Sequence, residues 1–253
     1  MIERVELYKR ELPKEVAALY GPYLDWTTFL NDCRPVEGSI NFNQRQTAEE
    51  ILALIGESQS AKEGVTIGLL GTMGAGKTTT ICLLAEDLEG FDVAVYKHRL
   101  DSVRTGERLT THIGDLSIEA GLYESLDDLD DETQIIFIDE FQFNSKDNPD
   151  EIRDFLSRRK LKGKQTVISQ LDFDFRRRPW RTTEILLPLS DVILALQARC
   201  EDCGAPAYFP QRNIDGQPAH INDPLVMVGA EELYQPKCGR CHQVRGKLLN
   251  DQF

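Results

Sequence analysis

Val65-Thr-Ile-Gly-Leu-Leu-Gly-Thr-Met-Gly-Ala-Gly-Lys-Thr-Thr79 is the stretch on which the reading of this chain turns. Its first half, Val65 to Leu70, is β-branched and apolar and reads as a buried strand. The run breaks into Gly71-Thr-Met-Gly-Ala-Gly-Lys-Thr78, which fits G-x-x-x-x-G-K-[ST] at each fixed position. An apolar-periodic helix is expected from Thr79 to Leu88. That order is what phosphate binding requires. Glycines let backbone N–H groups curl around phosphate oxygens, and the helix start adds unpaired donors and the positive end of its dipole. Lys77 is placed to reach the β- and γ-phosphates, and the Thr78 hydroxyl to ligate Mg²⁺. An ordinary Gly-rich turn would not need Lys and Thr directly after its last glycine.

Downstream, Phe91 to Lys97 reads as a second strand, with Asp101 and Arg104 in the loop beyond it. The Thr-rich segment Gly106 to Gly114 contains His112, read as structural or exposed. Gln134-Ile-Ile-Phe-Ile-Asp-Glu-Phe-Gln-Phe143 holds a buried strand, Ile135 to Ile138, that ends in adjacent carboxylates. An acid at a strand tip beside a phosphate loop acts on Mg²⁺ or its waters, a task for Asp139 that leaves Glu140 free for another. Pro149 to Leu161 is an amphipathic helix and Gln165 to Gln170 the next strand. Leu171-Asp-Phe-Asp-Phe175 and the basic run Arg176-Arg-Arg-Pro-Trp180 follow as a loop. The arginines read as a solvated face, with a phosphate clamp as the alternative. Ile185 to Ser190 is helical and Asp191 to Ala198 a strand. Strands alternating with helices make this an α/β chain with a parallel sheet, whose ligands sit at the carboxyl ends of the strands.

Upstream, Glu15 to Leu24 carries apolar residues at helical spacing, interrupted by Gly21-Pro22. Trp26 to Leu30 continues an apolar patch, and Arg34 to Asn43 looks like a loop. Thr47-Ala-Glu-Glu50 matches a capping box, and Gly56 to Gly64 reads as a polar connector. Packing is the expected role of this region. The divisions are a helical N-terminal extension (1–63), a P-loop domain (64–199) and a C-terminal module (200–253). Acidic residues number 42 against 29 basic, for a formal charge of -13 over 253 residues. That balance disfavours nucleic-acid polymers and anionic membranes as partners. No apolar run reaches the roughly 20 residues of a membrane span, and no signal peptide opens the chain. A soluble cytoplasmic protein is the expectation.

Six cysteines are present. Cys33 stands alone, and so does Cys82, read as a small buried side chain. The other four form two C-x-x-C pairs, Cys200/Cys203 and Cys238/Cys241, flanking Gly204–Lys237. Two such knuckles suit a tetrahedral Cys₄ zinc that pins both ends of a long loop. His242 beside Cys241 is a rival fourth ligand, and a redox dithiol or four free thiols are rival readings. With four thiolate ligands the zinc would be structural.

Taken in order, these motifs resemble the zinc-containing thymidine kinases of the cellular, bacterial and poxviral type. The shared pieces are the phosphate loop containing Met73 and Ile138-Asp-Glu-Phe-Gln-Phe143, like the family's D-E-x-Q-F. They continue with Leu171-x-x-x-Phe175 followed by Arg178-Pro-Trp180, Leu187-Pro-Leu-Ser-Asp191 before the first Cys pair, and Val228-Gly-Ala-Glu-Glu-Leu-Tyr234 before the second. The likeness covers residues 64–245.

The resemblance implies a P-loop (RecA-like) parallel sheet flanked by helices, followed by a small zinc-anchored lasso domain. It implies transfer of the ATP γ-phosphate to the 5′-hydroxyl of thymidine in deoxynucleoside salvage. ATP phosphates would lie on Gly71, Thr72, Met73, Gly74, Ala75, Gly76, Lys77 and Thr78. Asp139 would help Thr78 hold Mg²⁺, with Asp101 a further candidate. Glu140 resembles the general base and Gln142 a residue supporting the site. Met73, Leu171, Phe175 and Tyr234 match positions that enclose base and sugar, with residues 204–237 as the lasso. A homotetramer is also implied.

The chain departs from the pattern at Tyr208-Phe-Pro-Gln-Arg212, where Pro210 stands in place of the Thr of F-T-x-R. Proline offers neither hydroxyl nor N–H, which bears on base selection. The N-terminal arm lies outside the family core. The alternatives are a kinase for a different deoxynucleoside and a nucleotide-binding regulatory protein on the same scaffold.

Overall fold

The computed structural model describes residues 13–20, 22, 27–30, 42–101, 106–111, 116–144, 148–227 and 233–246. Cys33, Arg104, His112 and the segment 228–232, all singled out above, lie outside the described residues. The elements run α1 (Lys14–Tyr20), β1 (Thr27–Leu30), α2 (Phe42–Ala61), β2 (Val65–Gly71), α3 (Lys77–Asp87), β3 (Val93–His98), β4 (Arg108–Thr110), β5 (Ser117–Glu119), β6 (Gly121–Tyr123) and β7 (Ile135–Asp139). They continue with α4 (Pro149–Leu161), β8 (Gln165–Gln170), α5 (Arg181–Leu186), β9 (Val192–Leu196), β10 (Ala198–Arg199), β11 (Pro206–Ala207), β12 (Phe209–Ile214), β13 (Gln217–Pro218) and β14 (Tyr234–Lys237).

A seven-stranded sheet in the order β1-β9-β2-β8-β7-β3-β6 forms the core, and its pairings are all parallel. β7 and β8 are buried at every position; β7 meets this with an apolar run up to Asp139, whereas β8 also buries Gln165, Thr166, Ser169 and Gln170. Side chains alternate between the faces, so one strand feeds two cores. Ile135 and Phe137 join Ile67, Leu69 and Val167 beneath Ala48, Ile51 and Ile55 of α2 and Ile81 of α3. Ile136 and Ile138 join Ile168 and Ile193 against Phe155 and Leu156 of α4 and Val16, Leu19 and Tyr20 of α1. The α4 start is written locally: Asn148 accepts a hydrogen bond from the Asp150 N–H (3.0 Å) and Pro149 opens the helix.

The N-terminal region departs from its local signals in three places. Thr27–Leu30 is an edge strand paired with β9, from Thr27 opposite Ile193 to Leu30 opposite Leu196. α2 begins at Phe42, ahead of the Thr47 capping box, and runs on to Ala61 through the expected connector. Thr47 is buried within the helix. Packing overrides a local cap here: Ala48, Ile51 and Ile55 enter the core, and Arg45 reaches Asp87 at the end of α3 (3.0 Å).

Among the buried ionisable side chains, Arg159 serves the scaffold itself. Arg159 of α4 is fully buried and donates to the Thr133 carbonyl (3.1 Å), the Gln165 carbonyl (3.0 Å) and Thr166 Oγ1 (2.9 Å). Burial pushes its guanidinium down to about 10, so it remains charged at neutral pH. Arg159→Met would leave those carbonyls without donors. It is expected to cost about 3 kcal/mol or more in a denaturant titration; an unchanged midpoint would contradict this role.

After β9 the chain leaves the sheet for a small lobe. β10 pairs with β11, and β12 lies between β13 and β14, all antiparallel. Pro210 sits in β12 directly opposite Pro236 of β14. Neither proline can donate to the ladder there, and the Pro236 carbonyl accepts instead from the Glu201 N–H (3.2 Å).

Candidate functional site

Parallel strands all point one way, so the loops at their carboxyl ends emerge side by side. In the order β2-β8-β7, three of these loops become neighbours: the phosphate loop, the Leu171–Phe175 segment and Asp139-Glu140. On the other flank of β2, β9 leads into the cysteine lobe.

The phosphate loop needs its glycines. Gly71 has φ +151°, and a Cβ there would lie 2.3 Å from the Leu196 carbonyl oxygen. Gly76 adopts a left-handed conformation (φ 91°) as it caps α3. Lys77 is buried and donates to the carbonyls of Gly71 and Thr72, each at 3.0 Å. Burial lowers its proton affinity, opposed by Glu140, Asp139 and Asp172. Met73 is half-buried, and Gly74 is exposed beneath Pro236 of the lobe.

Asp139 closes β7. Its carboxylate accepts from Thr78 Oγ1 (2.8 Å) and Ser169 Oγ (2.6 Å), and its carbonyl from the Tyr123 hydroxyl (3.1 Å). Burial raises its proton affinity against those two hydroxyl bonds. Glu140 follows in a left-handed conformation (φ 58°), sparsely populated for a residue with a Cβ. Burial first, and the Asp139 charge second, push its carboxyl up to about 8. The Gln142 amide donates to Glu140, while its Oε1 accepts from the Leu171 N–H (3.0 Å). Asp101 is paired with the fully buried Lys97 (3.1 Å).

Leu171, Gln142 and Glu140 are therefore joined in one hydrogen-bonded set. Phe175 and Tyr234 meet through Arg212, whose guanidinium lies 3.9 Å from the centre of the Phe175 ring and 6.0 Å from that of Tyr234. Arg176 covers Phe175 from another side (5.0 Å), so that ring is buried. Of the three arginines, Arg178 is exposed, whereas Arg176 and Arg177 are half-buried and turned to the lobe rather than to solvent. Arg176 donates to the Asp223 carbonyl (2.6 Å), and Arg177 to the Gly239 carbonyl (2.5 Å) and His242. They tie the loop to the lobe. A cavity of about 360 Å³ opens beside Gln142, walled by Asn144, Arg178, Trp180 and Leu225 among others.

Several of these residues were not singled out as site residues from the sequence: Tyr123, Ser169, Asp172, Trp180 and Arg212. Ser169 did carry a signal, as a polar residue at the end of a fully buried strand. The others depend on chain segments brought together only by folding.

In the lobe, the Sγ atoms of Cys200, Cys203, Cys238 and Cys241 all lie within 4.8 Å of one another. Cys203 is 3.7 Å from Cys238 and 3.6 Å from Cys241. A disulfide would need about 2.05 Å. Four sulfurs around a tetrahedral zinc at about 2.3 Å stand roughly 3.8 Å apart, so this set fits that ion. His242 is not in the cluster. Its Nδ1 accepts from Arg177 Nε (3.1 Å), and burial, with the Arg177 charge, pushes the imidazole down to about 4.

A parallel α/β sheet with a phosphate loop, a paired-acid strand end and a lobe whose four cysteines cluster at metal-ligand spacing defines a P-loop phosphotransferase with an appended cysteine lobe. The sequence model of the family described as thymidine kinase matches residues 65–242, most of the chain. The chain belongs to that family: it is a nucleoside kinase with thymidine kinase function. Among the described residues no helix is long and apolar enough to cross a membrane.

Proposed function

We propose that this chain transfers the γ-phosphate of ATP to the 5′-hydroxyl of thymidine, with Glu140 as general base. The observation that carries the reading is the Glu140 carboxylate: half-buried, held by Gln142, and one residue beyond an acid already bonded to the phosphate-loop Thr78. A base works best with a proton affinity near the operating pH, and burial has moved Glu140 there.

In this reading Gly71, Thr72, Met73, Gly74, Ala75, Gly76, Lys77 and Thr78 cradle the ATP phosphates, and Lys77 exchanges its carbonyl partners for phosphate oxygens. Asp139 accepts from two uncharged hydroxyls, an oxygen donor set that suits a hard divalent cation. Thr78 and Asp139 would hold Mg²⁺, with Asp101 a further candidate; bound there, the ion supplies charge neutralisation on the phosphate oxygens. Glu140 accepts the proton of the 5′-hydroxyl as that oxygen attacks. Met73, Leu171, Phe175 and Tyr234 enclose the nucleoside. Cys200, Cys203, Cys238 and Cys241 anchor the 204–237 lasso on structural zinc.

The division is a phosphotransfer domain at 64–199, a lasso at 200–253 and an extension at 1–63. The family resemblance supports a cytoplasmic homotetramer. A second reading keeps the reaction but changes the acceptor to another deoxynucleoside. It is motivated by Pro210 in place of Thr on a strand of the lobe.

The test is phosphate transfer from Mg·ATP to a panel of nucleosides, thymidine and deoxyuridine included. Transfer to thymidine is expected. Transfer only to deoxycytidine or a purine nucleoside would select the second reading. ATP binding without transfer to any acceptor would overturn both in favour of a regulatory protein.

A further inference from the structure

α1 lies outside the family-matched region, yet it packs against the site. Its Val16, Leu19 and Tyr20 are buried with Phe173 and Phe209. Tyr20 is 1% exposed and donates its hydroxyl to Asp172 Oδ2 (3.1 Å). Asp172 is equally enclosed and organises its own loop. Its Oδ1 accepts from the Phe173 N–H (3.0 Å), and its carbonyl from the Trp180 N–H (3.1 Å). One residue earlier, the Leu171 N–H bonds Gln142, which bonds Glu140.

The helix also touches the cysteine lobe. Glu15 pairs with Arg177 (3.5 Å), which itself bonds Gly239 and His242 of the lobe, and Pro13, just ahead of the helix, packs on Gly239, between Cys238 and Cys241. α1 thus fastens the Leu171–Phe175 loop on one side and the lobe on the other.

We propose that Tyr20 is a positioning residue of the kinase site: through Asp172 it fixes the Leu171–Phe175 segment, and with it the nucleoside wall and the Gln142–Glu140 pair. The N-terminal arm is then part of the acceptor side of the enzyme. This rests on the assignment of Glu140 as base and of Leu171 and Phe175 as nucleoside contacts.

Tyr20→Phe keeps the buried ring and removes only the donor. Steady-state kinetics should show kcat/KM for the nucleoside falling roughly 10-fold, the size expected for one lost hydrogen bond to a carboxylate, with the KM for ATP moving less than about 2-fold. Asp172→Leu, which can neither accept from Tyr20 nor donate to it, should produce a fall at least as large, and adding Tyr20→Phe to it should cost little more, because both changes break one link. A lower melting temperature with unchanged nucleoside kinetics, or fully additive losses, would overturn the proposal.

If the wild-type chain transfers phosphate to no nucleoside, the functional reading fails and hydrogen exchange decides this one. Several-fold faster exchange of the Phe173 and Trp180 amides in Tyr20→Phe supports the link. Unchanged exchange removes it.

Discussion

Glu140→Gln is expected to abolish most turnover while raising the stability of the nucleotide-free protein. Turnover should fall by about 10²–10⁴-fold, the usual contribution of a general base, with ATP binding retained. The stability change follows from the direction of the Glu140 shift, from an ordinary 4.5 up to about 8. The folded state binds this proton more tightly than the unfolded chain does. That contribution is complete below the ordinary value and is lost as pH rises towards 8. At pH 8 and above, the wild type carries a half-buried, partly desolvated carboxylate beside Asp139, which the amide does not. Melting temperatures measured from pH 4 to 9 should therefore diverge with rising pH, the variant being the more stable by the order of a few kcal/mol. The wild-type rate should climb over the same interval, because only the ionised carboxylate accepts a proton. Activity within a factor of two of wild type would remove Glu140 from the chemistry, and coincident melting curves would contradict its partly desolvated charge.

The second large effect concerns the lobe. Cys238→Ser should drop bound zinc from about one ion per chain to a small fraction, since Zn²⁺ prefers four thiolates at tetrahedral spacing. Binding energy of that size belongs to folding in small metal-dependent lobes, of order 10 kcal/mol in the strongest cases. The lobe, rather than the sheet, should loosen. Two contacts carry the disturbance to the site: Pro236 over Gly74, and Arg177 on Gly239 and His242. Nucleoside KM should rise more than ATP KM, and a chelator should reproduce the change in the wild type. Metal analysis showing undiminished zinc in the variant would sink the four-cysteine site. Substituting His242 should leave zinc content unchanged, because its Nδ1 already accepts from Arg177.

Much of this protein is written in short stretches of its chain. The strand–glycine–lysine–threonine order at 65–79 determines the loop proposed to cradle phosphate, because each part of it is a local demand: left-handed backbone at Gly74 and Gly76, a helix start, a cation within reach. The apolar run ending in Asp139-Glu140 and the two C-x-x-C knuckles are equally local, and the structure keeps all of them.

What only the tertiary structure decided is non-local. Strand order makes neighbours of Ser169, Asp139 and Thr78, residues far apart in the chain. It makes an edge strand of Thr27–Leu30, which carries too few residues to announce itself, and it stretches α2 past its apparent cap. The three arginines at 176–178 look like surface until the lobe folds back and supplies carbonyls for two of them. Tyr20 looks like one apolar position of a short helix until Asp172 arrives beside its hydroxyl. A hydrogen bond between segments depends on where the sheet brings their backbones, and local sequence does not encode that.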